Sequence, residues 1–235
     1  MKAQKEYADT YFFGFFYYAL TWTLLPTTGC TKVLLISRLG SRHGHKHSYR
    51  RFYDLLRRFG PHLSTPHVPL LAITIDAMLC NDERLHRSVN EIVKIDENTK
   101  FSWHGVIAPT LDFDVKYLAE WSRISSSIRI CIIGLLRQHE NGIRALDTIR
   151  EMYAEGSSKI PVAKIQEDYD RSIMEILDLI DILTMRADSF VPYATYTQKR
   201  VDVQINVVRS TNDKHYLFLE ISNEINLLDF LPPHP

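Results

Sequence analysis

Cysteine, glycine and proline are scarce in this 235-residue chain, and each scarcity excludes something. The three cysteines (Cys30, Cys80, Cys131) are odd in number and far apart. They exclude a disulfide framework and a zinc ribbon, and they suit a reducing compartment. Nine Gly and ten Pro exclude collagen-like and Pro-rich linker chains. There is no Gly-rich phosphate loop, no G-x-S-x-G and no H-E-x-x-H. Long hydrophobic runs are also missing. The longest, YFFGFFYYALTWTLL at residues 11–25, has 15 residues, fewer than the roughly 20 that cross a bilayer as a helix. Lys2 and Lys5 before it are offset by Glu6 and Asp9, and residues 26–29 (PTTG) read as a turn rather than a cleavage site. Its aromatic and β-branched content favours a buried strand or core over a signal anchor or an interfacial segment.

What is present is the composition of a folded protein. Apolar residues make up 45 %, too many for global disorder. The length suits one domain or two small ones. The 28 basic and 28 acidic residues cancel, but unevenly along the chain. Residues 1–75 carry ten Lys and Arg against three Asp and Glu; residues 76–235 carry 18 against 25. A basic front and an acidic rear can attract each other within a chain or between copies.

The front reads as mixed structure. KVLLIS at residues 32–37 is a short apolar run after a turn signal and predicts a strand. SRHGHKH at residues 41–47 predicts a polar loop. Ser48 suits the cap of a short helix over residues 49–59, with Phe52, Leu55, Leu56 and Phe59 at helical spacing. Gly60 and Pro61 should end it.

The rear carries three apolar seams. Leu71, Ile75, Met78, Asp82, Leu85, Val89 and Ile92 alternate steps of four and three, with Asp82 as a polar lapse. A strand cannot use that spacing, so a helix is predicted over residues 68–98. The pattern repeats from Tyr117 through Trp121, Ile128, Leu135, His139, Gly142 and Ile149 to Tyr153. It repeats again from Ile173 through Ile176, Ile180, Leu183, Ala187, Phe190, Ala194, Thr197, Val201 and Ile205 to Val208. Such seams pack as a coiled coil or a long bundle. A helix over residues 164–208 would be about 65 Å long. Pro192 interrupts the last seam without changing its phase, which predicts a kink near Asp188 rather than a break. The signal fades after Lys214.

Four groups of residues invite a chemical reading. His43, His45 and His47 could share one face and bind zinc, nickel or copper. With Gly44 among them and no Cys or carboxylate nearby in sequence, they read better as a solvated basic loop. Arg38, Arg42, Lys46, Arg50, Arg51, Arg57 and Arg58, interleaved with Tyr49, Phe52 and Tyr53, could contact phosphates and stack bases. Docking against the acidic rear is the competing use, and the one preferred over nucleic acid. Asp168, Asp170, Glu175, Asp178, Asp181 and Asp188 line the last helix. Asp178, Asp181 and Asp188 fall near one stripe and are the candidate metal residues, for Mg²⁺, with a solvated helix face as the alternative. Cys131, among Ile128, Ile130, Ile132 and Ile133, reads as a buried inert thiol.

Three segments carry a family resemblance: NEIVKIDENTKFSW at residues 90–103, the helical stretch at residues 118–150, and QKRVDVQINVV at residues 198–208 with Asn212 and Asp213. Together they resemble the soluble region of fungal CorA-like proteins, relatives of the CorA magnesium transporters. The resemblance implies that residues 198–213 are the late part of a stalk helix leading toward a membrane. It also implies that acidic residues of the cytosolic part sense magnesium. CorA transporters follow this stalk with two membrane helices and a Gly-Met-Asn signature. This sequence instead has EINLLDFLPPHP at residues 224–235. No ion-binding position of the family matches residue by residue.

These readings define the expectations. The fold is mainly α, with a small α+β front at residues 1–66, a bundle of long antiparallel helices at residues 67–222 and a frayed tail at residues 223–235. The chain is a non-enzymatic helical assembly domain, cytoplasmic, resembling the cytosolic region of a CorA-like Mg²⁺ transporter without its pore helices. Its partner is a second copy of itself, held through the long helices. The alternative is a binding module whose basic patch takes nucleic acid or an anionic surface.

Overall fold

The structure, a computed structural model, describes residues 10–14, 18–25, 30–37, 46–63, 65, 67–99, 101–102, 105–106, 115–156 and 163–228. The chain is mainly α-helical, with a small three-stranded antiparallel sheet near its N-terminus.

The aromatic run does not form one buried strand. It forms two, β1 (Thr10–Gly14) and β2 (Tyr18–Leu25), and β3 (Cys30–Ser37) pairs with β2 on its other side. Tyr11 lies opposite Trp22 and Phe13 opposite Leu20. Alternation then gives these residues and Leu35 to the core side of the sheet, while Phe12, Leu34 and Ile36 are exposed. A pleat with period two cannot bury both faces when only one meets a core.

Helix α1 spans Lys46–Arg58. It begins two residues before Ser48, the expected cap, and takes in Lys46 and His47 of the expected loop. His43 and His45 lie outside the described residues. A short 3-10 turn, Gly60–His62 with Pro61 near its start, follows. Three long helices come next: α2 (Val68–Thr99), α3 (Val115–Gly156) and α4 (Ala163–Leu228), with the small hairpin β4 (Phe101–Ser102) and β5 (Gly105–Val106) after α2. Helix α4 runs through Pro192 without interruption. It also continues to Leu228, past the expected fading after Lys214 and into the stretch expected to fray.

The chain divides into two compact units. One comprises Met1–Glu83 and Leu135–Val191; the other comprises Arg84–Gly134 and Pro192–Pro235. The basic front belongs to the first unit because its sheet and α1 share a core with the long helices. Leu20, Trp22 and Phe52 cluster with Val68–Met78 residues of α2, Ala145–Tyr153 residues of α3 and Ile173–Ala187 residues of α4. Within this unit α3 runs against its neighbours. His67 meets Tyr153 and Gly142 faces Met78, while Arg150 bonds Asp181 and His139 stacks on Phe190. In the second unit Leu85, Ile92, Leu118, Ile128, Ile132, Ala194, Val201 and Val208 are buried.

The seams are buried with instructive exceptions. Leu118, 3 % exposed, takes the place expected for Tyr117, which is 55 % exposed. Gln204 is buried where Ile205 was expected, because Asp96 accepts a hydrogen bond from its amide. Cys131 is half-buried rather than buried, with Ile130 and Ile133 beside it exposed.

Candidate functional site: an arginine-lined cavity

Helix α1 is amphipathic by sequence, and its two faces go to different uses. Phe52 is buried, and Leu55, Leu56 and Phe59 pack against the core. Arg50, Tyr53, Asp54, Arg57 and Arg58 are exposed. Their spacing places them along one side of the helix.

Arg51 stands at the border between the faces and reaches across to α2. Its Nε donates to Asp76, whose side chain is wholly buried. Its Nη1 donates to Glu83 Oε1 at 2.6 Å, and Nη2 lies 2.6 Å from Cys80 Sγ. Asp76, Cys80 and Glu83 are spaced by four and three on α2, so one stripe meets one guanidinium. Burial alone would lower the Arg51 pKa, but the bond and charge of Asp76 raise it, so the cation is permanent. Burial and the Asp76 charge push the Cys80 thiol up to about 11, against the opposing pull of Arg51. Cys80 is therefore protonated and inert at neutral pH.

Beside this cluster lies a cavity of about 390 Å³, lined by Arg50, Arg51, Asp54, Leu55, Arg58 and Leu79. Three guanidinium groups, one carboxylate and two leucines give it the chemistry of a site for an anion with an apolar body.

The other candidate residues do not gather into a site. Asp178, Asp181 and Asp188 are exposed on α4. Asp181 accepts a bond from Arg150 at 2.5 Å. Asp181 and Asp188 are about 10 Å apart along the helix axis, so one ion cannot be held by all three. No group of three His, Cys, Asp or Glu among the described residues is arranged to hold a metal ion. Of the basic cluster, the described side chains are Arg50, Arg51, Arg57 and Arg58. Arg38 and Arg42 lie outside the described residues.

Two buried polar clusters were not singled out from sequence. His67 packs edge-on between Tyr11 (5.4 Å) and Tyr153 (5.1 Å), and Tyr11 stacks on Trp22 at 5.2 Å. Burial lowers the His67 pKa to about 4. In the second unit, Asp96 accepts bonds from Arg200 Nε at 2.6 Å and from Gln204. Burial raises the Asp96 pKa, and the Arg200 bond opposes it. The signal for the Arg51 cluster was present in the sequence: Asp76 sits inside the apolar opening of α2, where a carboxylate is tolerated only with a partner.

Comparison with protein-family models, with curated proteins and with solved structures finds no match to this chain. The resemblance to CorA-like proteins rests on the quoted segments alone.

Proposed function

We propose that the chain is a non-enzymatic helical assembly domain, cytoplasmic, of the kind found in the soluble region of CorA-like Mg²⁺ transporters. The observation that carries this reading is α4. It has 66 residues, against 32 for α2 and 42 for α3. A helix of this length suits a stalk. No helix among the described residues is long and apolar enough to cross a membrane.

The seam itself is used up within the chain: Val201 is fully buried, so a charge there tests folding rather than association. Apolar surface left over on α4 in the first unit is Met174, Ile182, Met185 and Val191, all exposed. These are the residues for a second copy to cover. The unmutated chain should self-associate at tens of micromolar in sedimentation. The Ile182→Glu, Met185→Glu variant should be monomeric with an unchanged melting temperature. A monomeric unmutated chain overturns the reading. The magnesium part is tested by melting in MgCl₂ against NaCl at matched ionic strength. A Mg²⁺-specific rise that Asp178→Asn with Asp188→Asn removes supports it; equal melting in both salts removes magnesium from the proposal.

A second reading follows from α1. Tyr53 is exposed between Arg50 and Arg57 on one helix face, an arrangement suited to nucleic acid or an anionic surface. Oligonucleotide binding with a steep salt dependence favours it, and binding that is absent at low salt excludes nucleic acid.

A further inference from the structure

We propose that the cavity between α1 and the Leu79 region of α2 binds a small organic phosphate. The proposal is independent of the assembly reading. The cavity volume of about 390 Å³ lies in the range of small-molecule sites and is far too small for a macromolecule.

The charges around it are in two states. Arg51 is committed: Asp76 and Glu83 hold its guanidinium. Arg50 and Arg58 have no ion-pair partner among the described residues, although both line the cavity. They lie eight residues apart on α1, about 12 Å along its axis, with Asp54 midway. Two guanidinium groups with no ion-pair partner among the described residues therefore share the cavity lining with one carboxylate.

Each lining group constrains the ligand. A guanidinium fork matches two oxygens of a phosphate and is always charged, so Arg50 and Arg58 call for an anionic end. Leu55 and Leu79 call for an apolar body beside it. Asp54 repels a bare anion at the centre and accepts a hydrogen bond from a hydroxyl or amino group there. An anionic end, a hydrogen-bond donor and an apolar surface in one small molecule describe a phosphorylated sugar or a nucleoside monophosphate.

Calorimetry on the full chain at fixed ionic strength tests this with AMP, ribose 5-phosphate, adenosine and inorganic phosphate as probes. AMP or ribose 5-phosphate should bind with a Kd of about 1 mM or tighter. Adenosine and inorganic phosphate should each bind at least about tenfold more weakly. Arg50→Ala with Arg58→Ala should weaken the organic phosphate about tenfold or more and leave the unliganded melting temperature unchanged. Arg57→Ala, on the same helix but outside the cavity, should leave binding intact. The proposal is overturned if neither organic phosphate binds, if inorganic phosphate binds as tightly, or if Arg57→Ala costs as much as the double variant.

Discussion

Asp82 on α2 accepts a hydrogen bond from Arg186 on α4 at 2.5 Å. The polar lapse in the first seam is thus one half of an ion pair whose other half lies 104 residues on. In the second unit Asp96 takes Arg200 at the same separation of 104 residues. Asp82 and Asp96 are two heptads apart, and so are Arg186 and Arg200. Each pair joins α2 to α4 within its own unit.

The two pairs should differ sharply in energetic weight. Asp96 is 10 % exposed at its side chain and Arg200 22 %, whereas Asp82 and Arg186 are 38 % and 57 % exposed. Arg200→Ala leaves a buried carboxylate without its cation and should cost about 3 kcal/mol. Arg186→Ala should cost less than about 1 kcal/mol, since water screens that pair. Urea unfolding of the two variants measures both. Equal losses would mean that Asp96 is solvated in solution.

Leu135 and Ile180 are 1 % and 0 % exposed. Leu135→Asp or Ile180→Asp each buries a carboxylate with no designed partner and should cost several kcal/mol, on the order of a marginal domain's whole stability. Thermal melting that matches the unmutated chain would show these positions to be wrongly placed in the seam.

Gly142→Ala should stabilise the protein. Gly142 lies inside α3, buried, where glycine costs about 0.5–1 kcal/mol relative to alanine. An added Cβ would meet only Met78 Cγ, at 3.8 Å, an ordinary contact. The expected gain is about 0.5–1 kcal/mol in chemical denaturation. A loss would mean that α2 and α3 approach more closely here than 3.8 Å allows.

Acid should unfold the first unit through His67. Its folded pKa is about 4 against the ordinary 6.5, and burial is the cause. The folded state holds the neutral ring, while the unfolded chain gains a proton below its ordinary pKa. The stabilisation is complete above pH 6.5 and is lost as pH falls from there through about 4. The full swing is about 3 kcal/mol, from roughly 1.4 kcal/mol per unit. His67→Phe fits the aromatic setting of Tyr11 and Tyr153 and should flatten the fall in stability between pH 6.5 and 4 relative to the unmutated chain. Parallel curves for the two proteins would show that His67 takes up its proton without cost.

The elements themselves were largely legible in the sequence. Apolar side chains at alternating steps of three and four share one face only on a helix, so the seams through Leu85, Leu135 and Ile180 locate α2, α3 and α4. The short run at residues 32–37 located β3 in the same local way. Ends were less legible: α4 outlasts its apolar signal because, beyond the seam, helical continuation depends less on side-chain pattern.

The site was not legible, because its chemistry is distributed between distant segments. Arg50, Arg51 and Arg58 could be read as a basic cluster, but which arginine is spent depends on Asp76 and Glu83 in another helix. Asp82 looked like a lapse in its seam and Gln204 gave no signal; they border or enter the core because Arg186 and Asp96 reach them. Pattern alone determines which face of each helix seeks a core. Whether a charge on that face is tolerated was decided only in the tertiary structure, since a buried polar group is stable only where folding delivers its partner.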